Sequence, residues 1–221
     1  MTAFVLVHGA WHGAWAWDRV VPLLGRTFVP ELSAGPDVGL DDHVAEVVAA
    51  LDAVGERVVL VGHSYGGLVV RQAADTRPGQ VAHVVLVEGW AGPDGASLFS
   101  LAPAWFSEAL EASAAGGEMP PPPAVWVGIT DPDDARWAEQ QMRPHPLRTF
   151  TDATRLTGAV DGIPGTGVYG AETRLPFADF TQAIGYRPVP IAGPHDVMIT
   201  DPALLADILL GVRDQEARAL Q

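Results

Sequence analysis

Three short apolar runs constrain this chain more than any other feature. Ala3–Val7 (AFVLV), Arg57–Val61 (RVVLV) and Val81–Val87 (VAHVVLV) are near-continuous stretches of aliphatic residues. A strand with one wet face alternates apolar and polar side chains. A strand apolar at nearly every position has to be covered on both faces, as in a parallel sheet with helices above and below. Stretches of helical period lie between the runs. Ala16–Leu24 reads as one helix and Gly66–Asp75 as another, and Thr27–Pro30 as a weak short strand. Asp41 or Asp42 is placed to cap a helix in which Val44, Val47, Val48 and Leu51 recur at helical spacing. The alternation is that of an α/β domain. The 221 residues, 48% of them hydrophobic, suffice for one such domain with a sizeable core.

The rhythm breaks between about Gly92 and Val160. This stretch holds the run Pro120–Pro123 and the pair Gly116–Gly117, with helical patches only at Ala104–Ala112 and Asp133–Gln141. A long excursion of this kind is expected to lie over the sheet as a lid. The α/β pattern then resumes: a strand at Gly167–Tyr169, a helix near Ala178–Ile184, a strand at Arg187–Ile191 and a closing helix from about Pro202 to Leu220. The expected organisation is a core of residues 1–91 and 161–221 with a lid at 92–160.

Composition removes several kinds of chemistry. The chain has no Cys, which excludes disulfides, thiol catalysis and cysteine metal sites. It has no Lys, which excludes Schiff bases, and no Asn, which excludes Asn-linked glycosylation. Acidic residues number 27 against 13 basic ones, a formal charge of -14. That field repels phosphate backbones and anionic bilayers, so neither nucleic acid nor a membrane is an expected partner. No run approaches the roughly 20 apolar residues of a membrane span. The first residues, MTAFVLVHGAWHG, lack a basic leader and enter a strand at once, so a signal peptide is not expected and the cytoplasm is the expected compartment. Usage heavy in Ala, Gly, Pro and Arg points to a GC-rich bacterial source.

The chemistry centres on Gly62-His63-Ser64-Tyr65-Gly66, which fits G-x-S-x-G with the strand RVVLV before it and a helix after it. A serine on such a sharp strand-to-helix turn projects its hydroxyl outward, and small neighbours are needed for the turn to close. A hydroxyl is a weak nucleophile and needs a base. Of the seven histidines, His195 in Gly193-Pro194-His195-Asp196 follows the last strand and precedes the last helix. His8-Gly9-Ala10-Trp11-His12-Gly13 directly follows the first strand. Backbone amides of Ala10 and Tyr65 are the candidate oxyanion donors, one from this loop and one from the residue after the serine. His8 and His12 stand four apart, as metal-binding pairs often do, but they fall in a loop. They read as hydrogen-bonding residues near the site, and His63 as packing beside the turn. His43, His83 and His145 carry no argument beyond ordinary surface or strand positions.

HGAWHGAWAWDRV, GHSYGG, EGWAGPDGASL and PHDVMITDP together resemble the α/β-hydrolase branch that holds plant methyl esterases, hydroxynitrile lyases and their bacterial relatives. The resemblance runs from Phe4 to about Leu210. It implies an α/β-hydrolase fold, a mostly parallel sheet with helices on both faces and a small lid. It also implies Ser64 as nucleophile, His195 as base, and Ala10 and Tyr65 as oxyanion donors. The third member departs from the pattern. Aligning Tyr169-Gly170-Ala171-Glu172-Thr173-Arg174 puts Thr173 where the plant enzymes carry Asp, and threonine cannot stabilise an imidazolium. Two carboxylates are placed to substitute: Glu88, which ends the strand after the nucleophile's helix, and Glu172, if its loop shifts by one residue. Glu88 is favoured. Asp196, adjacent to the base, is too close along the chain to orient the ring in the usual way.

Trp11, Trp90 and Trp105 are the candidate lining of an apolar substrate pocket; the bland reading of these rings is packing between lid and sheet. The expected activity is that of a serine hydrolase, a carboxylesterase acting on a small or medium apolar ester, with no metal or cofactor and a small molecule as substrate; the sequence does not fix the oligomeric state. Two rivals share the scaffold: a cyclase, aldolase-like or dehydrating enzyme on a natural-product intermediate, which the missing carboxylate at position 173 favours, and a receptor-like binding module. Cyanohydrin cleavage is disfavoured because those relatives use a lysine.

Overall fold

A computed structural model describes residues 2–219. The apolar runs form β1 (Ala3–Val7), β3 (Val58–His63) and β4 (Val81–Val87), and every residue in them is buried. Together with β2 (Thr27–Phe28), β7 (Gly165–Gly170) and β8 (Arg187–Ile191) they make one sheet in the order β2-β1-β3-β4-β7-β8, with every pairing parallel. β5 (Glu118–Met119) and β6 (His145–Pro146) form a separate antiparallel pair within the excursion.

Alternate residues of each strand face opposite layers. Val5 and Val7 of β1 and Leu60 of β3 pack toward α2 (Leu40–Val54) and α3 (Gly66–Thr76). Phe4, Leu6, Val59 and Val61 pack the other way, toward α1 (Val21–Leu24), α9 (Val197–Thr200) and α10 (Pro202–Ala219). Each aliphatic side chain removed from water in these layers contributes roughly 1.5–3 kcal/mol. Both faces are therefore spoken for, as the uninterrupted apolar runs require. The Leu220 end of the expected closing helix lies outside the described residues.

Two local expectations are corrected. Ala16–Leu24 is not one helix. Ala14–Trp17 forms a tight helical turn, and α1 starts again at Val21. Pro22 is the reason: it has no amide to give, its ring clashes with the carbonyl four residues back, and the chain crosses the gap with i→i+3 bonds such as Val20 N to Trp17 O. Neither Asp41 nor Asp42 is the cap of α2. Gly39 holds that place, and the two acids occupy the first turn, where the Asp42 carboxylate accepts the Gly39 amide at 2.8 Å.

The excursion carries α4 (Leu98–Leu101), α5 (Ala104–Ser113), α6 (Pro132–Glu139) and α7 (Arg148–Thr151). It divides its contacts between the two layers. Leu98, Met119 and Phe150 join the layer of α2 and α3, while Ala124, Val127, Ala138 and Met142 join that of α1 and α10. Its two ends are pinned to α3 by buried polar side chains. Arg71 donates to Gly92 O and to Asp161, Gln72 accepts the Arg155 amide, and Asp75 accepts the amides of Thr157 and Val160. α8 (Phe177–Ala183) returns the chain to β8.

Candidate active site

In a parallel sheet the loops beyond the carboxyl ends of the strands lie side by side, and polar groups carried there meet. Here the end of β1 leads to His8–Trp11, that of β3 to Ser64, that of β4 to Glu88, that of β7 to Gly170, and that of β8 toward His195. Three non-glycine residues among those described have left-handed backbones: Trp11 (φ 64°), Ser64 (φ 51°) and Glu88 (φ 48°). Each follows a strand end at this edge. Such conformations persist only where surrounding contacts hold them, and they concentrate at functional sites.

The Ser64 turn is held by close backbone packing. The Ser64 amide donates to Val87 O at 3.0 Å, and Ser64 O accepts the amides of Gly67 and Trp90 at 2.9 and 3.0 Å. A Cβ on Gly62 would come within 2.5 Å of Gly66 O, and one on Gly66 within 2.8 Å of His8 O. Both glycines of the motif are thus required by space rather than by φ. Ser64 keeps 8% of its surface exposed.

The His195 ring lies against His63, the residue before Ser64, with ring centroids 4.8 Å apart. Nδ1 donates to Glu88 Oε2 at 3.1 Å, which leaves Nε2 as the acceptor. Glu88 is buried, and its other oxygen accepts the Gly170 amide, so both carboxylate oxygens are engaged. Phe177 stacks on the imidazole with ring centroids 5.7 Å apart. His63, the residue before Ser64, donates from Nε2 to His195 O at 3.1 Å and ties the two loops together. Burial holds the His63 ring well below the ordinary imidazole pKa, in its neutral form. Among the described residues Ser64 Oγ makes no hydrogen bond to the ring. That contact is commonly long before substrate binds and tightens in the complex.

The amides of Ala10 and Tyr65 donate to no acceptor among the described residues. The loop carrying Ala10 is fixed from three sides. Trp11 Nε1 donates to Met119 O at 3.1 Å, the Arg143 amide donates to Trp11 O at 2.9 Å, and His12 Nδ1 donates to Ala10 O at 2.7 Å. Below Tyr65, its phenol donates to His43 Nδ1 at 2.9 Å, because His43 Nε2 gives its own proton to Ser33 O. Desolvation pushes that phenol well above its ordinary pKa, so it stays a donor.

A family model for the alpha/beta hydrolase family matches residues 4–208. The chain belongs to that family. A carbendazim hydrolyzing esterase of Nocardioides sp. (strain SG-4G) is 28% identical over 95% of this chain and 98% of its own length. Methylesterase 9 of Arabidopsis thaliana is 37% identical over 39% of this chain and 40% of its own. An extracellular alpha/beta-hydrolase from a Paenibacillus species superposes with a TM-score of 0.87 at 20% identity, covering 96% of this chain and 98% of that one, a likeness of fold. The resemblance to plant methyl esterases and hydroxynitrile lyases therefore extends to curated relatives.

Within this alpha/beta hydrolase the other candidate residues are distributed as follows. Glu172 is exposed and Thr173 donates its amide to Gly170 O, so neither faces the imidazole bond that Glu88 makes. Trp90 is fully buried among Phe106, Phe177 and Phe180, one ring removed from His195. Trp11 packs against Phe150 and His145. Trp105 is 55% exposed, with the Arg174 guanidinium over its ring. Arg174 lines a cavity of about 370 Å³ with Pro103, Gly170, Leu175 and Pro176.

Two buried histidines exceed what the sequence gave reason to expect. His43 and His145 are not surface residues. They pack edge-on or tilted around Tyr65, where burial lowers the pKa of each. His12 gives one proton to Ala10 O and faces Asp196 Oδ2 at 2.8 Å with its other nitrogen. Asp196, too close along the chain to orient His195 in the usual way, is a fully buried carboxylate. Nitrogen and oxygen atoms of His63, His195 and Asp196 come within 4.8 Å of one another, the one such group of three among the described residues. In it His63 Nε2 is a donor to His195 O and His195 Nδ1 a donor to Glu88, and no ligand role is assigned to these side chains. No described helix is long and apolar enough to cross a membrane.

Proposed function

We propose that the chain is a serine carboxylesterase that cleaves a small or medium apolar ester through an acyl-enzyme. Ser64 Oγ attacks the ester carbonyl as His195 Nε2 takes its proton. The developing oxyanion is received by the Ala10 and Tyr65 amides. The imidazolium, held by Glu88, returns the proton to the leaving alcohol, and water repeats the cycle on the acyl-enzyme. Each amide donor contributes a few kcal/mol to the transition state. The observation that carries this reading is the 3.1 Å bond from His195 Nδ1 to Glu88 Oε2, beside a serine in a left-handed backbone. A carboxylate other than position 173 supports the base, which answers the one sequence feature that favoured a non-hydrolytic reaction. The esterase names among the relatives support the same reaction class.

In this reading the excursion at 92–160 is a lid that selects the substrate. The enzyme acts in the cytoplasm on a small molecule, with no nucleic acid, membrane, metal or cofactor in the reaction, and the charge of -14 supports the exclusion of nucleic acid. The test is incubation with a fluorophosphonate probe and, separately, with short-chain p-nitrophenyl esters. Covalent labelling at Ser64 that is lost in S64A, together with ester turnover, is the expected result. Folded protein that is not labelled defeats the activated serine. Labelling without turnover of any ester defeats the esterase.

A further inference from the structure

We propose that the buried His12–Asp196 ion pair is a positioning element of this site, which fixes the Ala10 oxyanion donor to the His195 loop and lays a charge pair along the direction in which charge separates during acyl transfer. The inference rests on the acyl-transfer reading above.

The geometry leaves His12 one protonation state. Nδ1 lies 2.7 Å from Ala10 O and Nε2 lies 2.8 Å from Asp196 Oδ2. Both partners are acceptors only, so both nitrogens carry protons and the ring is an imidazolium. Both side chains are buried, His12 at 2% and Asp196 at 0% exposure. Burying a charge pair is unfavourable unless geometry and hydrogen bonds compensate it. A chain that only needed packing here would do as well with two apolar residues, so the pair points to a task.

Its placement states the task. The imidazolium grips the carbonyl of Ala10, whose own amide is an oxyanion donor, and Trp11 beyond it is held at a left-handed φ. The carboxylate belongs to the residue after His195, and its oxygen lies within 4.8 Å of a His195 ring nitrogen. The second oxygen of Asp196 has no hydrogen-bond partner and sits 3.5 Å from His63 Nε2. In the transition state negative charge appears on the carbonyl oxygen and positive charge on His195. The fixed pair therefore sets its positive end toward the oxyanion donor and its negative end toward the imidazolium, with no reorganisation at the moment of reaction. The titratable groups facing the pair are His8, His63, His145 and His195, with Glu88 on the far side of the His195 ring.

The decisive variant is Asp196→Asn, which keeps an oxygen for His12 Nε2 and removes the charge. Rates are measured per active site, counted by fluorophosphonate titration, against p-nitrophenyl esters from about pH 5 to pH 9. We expect kcat to fall about 10- to 100-fold with KM within about threefold, since a slightly misplaced donor acts on the transition state. A residue that merely stabilised the fold would reduce the number of active sites and leave the per-site kcat in place. A per-site kcat near wild type overturns the proposal. Absence of labelling and turnover in the wild-type protein instead overturns the acyl-transfer reading and this inference with it. A second measurement needs no variant. Ring ¹⁵N spectra of the wild-type chain at about pH 7.5, above the ordinary imidazole pKa, are expected to show both His12 nitrogens protonated; a neutral His12 ring overturns the proposal even if Asp196→Asn does not fold.

Discussion

A single proton decides what Glu88 is for. His195 Nδ1 gives its hydrogen to Glu88 Oε2, so Nε2 presents a lone pair. In Glu88→Gln the amide oxygen can still accept from Gly170, and its NH₂ then faces Nδ1. The ring is driven to the other tautomer, with its proton on Nε2, where it cannot take one from Ser64. We predict a loss of kcat of about 10³- to 10⁴-fold with native far-UV circular dichroism. Glu172 is exposed and takes no part in that bond, and Glu172→Gln should leave turnover within about twofold. The reverse pattern in steady-state kinetics would transfer the role to Glu172. The residue scale is also where the sequence was least sufficient. Ser64, His195 and the Ala10 loop stand at strand ends that the apolar runs locate. The choice between Glu88 and Glu172 depended on which side chain reaches one nitrogen, a distance that no local pattern encodes. Asp196 was set aside because adjacent residues seldom bond each other's rings. It turned instead to His12, 184 positions away. A buried acid beside a base, with a histidine in the first loop, was the available signal.

Among the elements, α3 is more than a cover for the sheet. Its N-terminus carries the Ser64 turn, and its later turns carry Arg71, Gln72 and Asp75, which fasten both ends of the 92–160 excursion. The period of α3 was legible because Leu68, Val69, Ala73 and their neighbours repeat helically. Nothing in the sequence marks the polar residues between them as buried, because the excursion that buries them has no period to read. Asp75 is the most heavily used of the three. It accepts the Thr157 amide at 2.7 Å, the Thr157 hydroxyl at 2.9 Å and the Val160 amide at 2.9 Å. These bonds hold its carboxyl below the usual range against the opposing effect of burial. Asp75→Ala strands two amides near the sheet and should cost about 2–4 kcal/mol in urea unfolding. Labelling of Ser64 should persist, since the elbow is built by other bonds; loss of labelling in folded Asp75→Ala would show that the excursion shapes the elbow itself. By contrast Gly62→Ala pushes a methyl into Gly66 O at the elbow. That variant should lose about 1–3 kcal/mol and activity together, read by the same two assays.

Across the whole molecule, the buried histidines set how the fold responds to acid. His8 is lowered to about 4, chiefly by desolvation, and His43, His63 and His145 are lowered for the same reason. Each is neutral when folded and takes up a proton near pH 6.5 when unfolded. The unfolded chain therefore binds more protons between about pH 6.5 and the lowered folded values, and stability must fall as pH drops through that window. His12 has the opposite sign: Asp196 raises its pKa despite burial, so its contribution is present below about 6.5 and is lost only as pH rises through the raised value. It gives no protection from acid beyond what it gives at pH 6. Asp75 and Asp196 are depressed carboxylates, whose contributions are lost only below the ordinary carboxylate pKa of about 3.9. Acid lability thus starts with histidine. Each excess proton is worth about 1.4 kcal/mol per pH unit, so stability falls with pH for every such ring that stays neutral in the folded chain. Urea midpoints followed by tryptophan fluorescence at a series of pH values from about 7.5 to 4.5 measure this directly. The midpoint should be nearly flat above about pH 6.5 and drop steeply below it, and His43→Gln should reduce the slope. A midpoint that stays level to pH 4.5 would mean that these rings are solvated, and that the closed packing around Tyr65 and the oxyanion loop does not exist in solution.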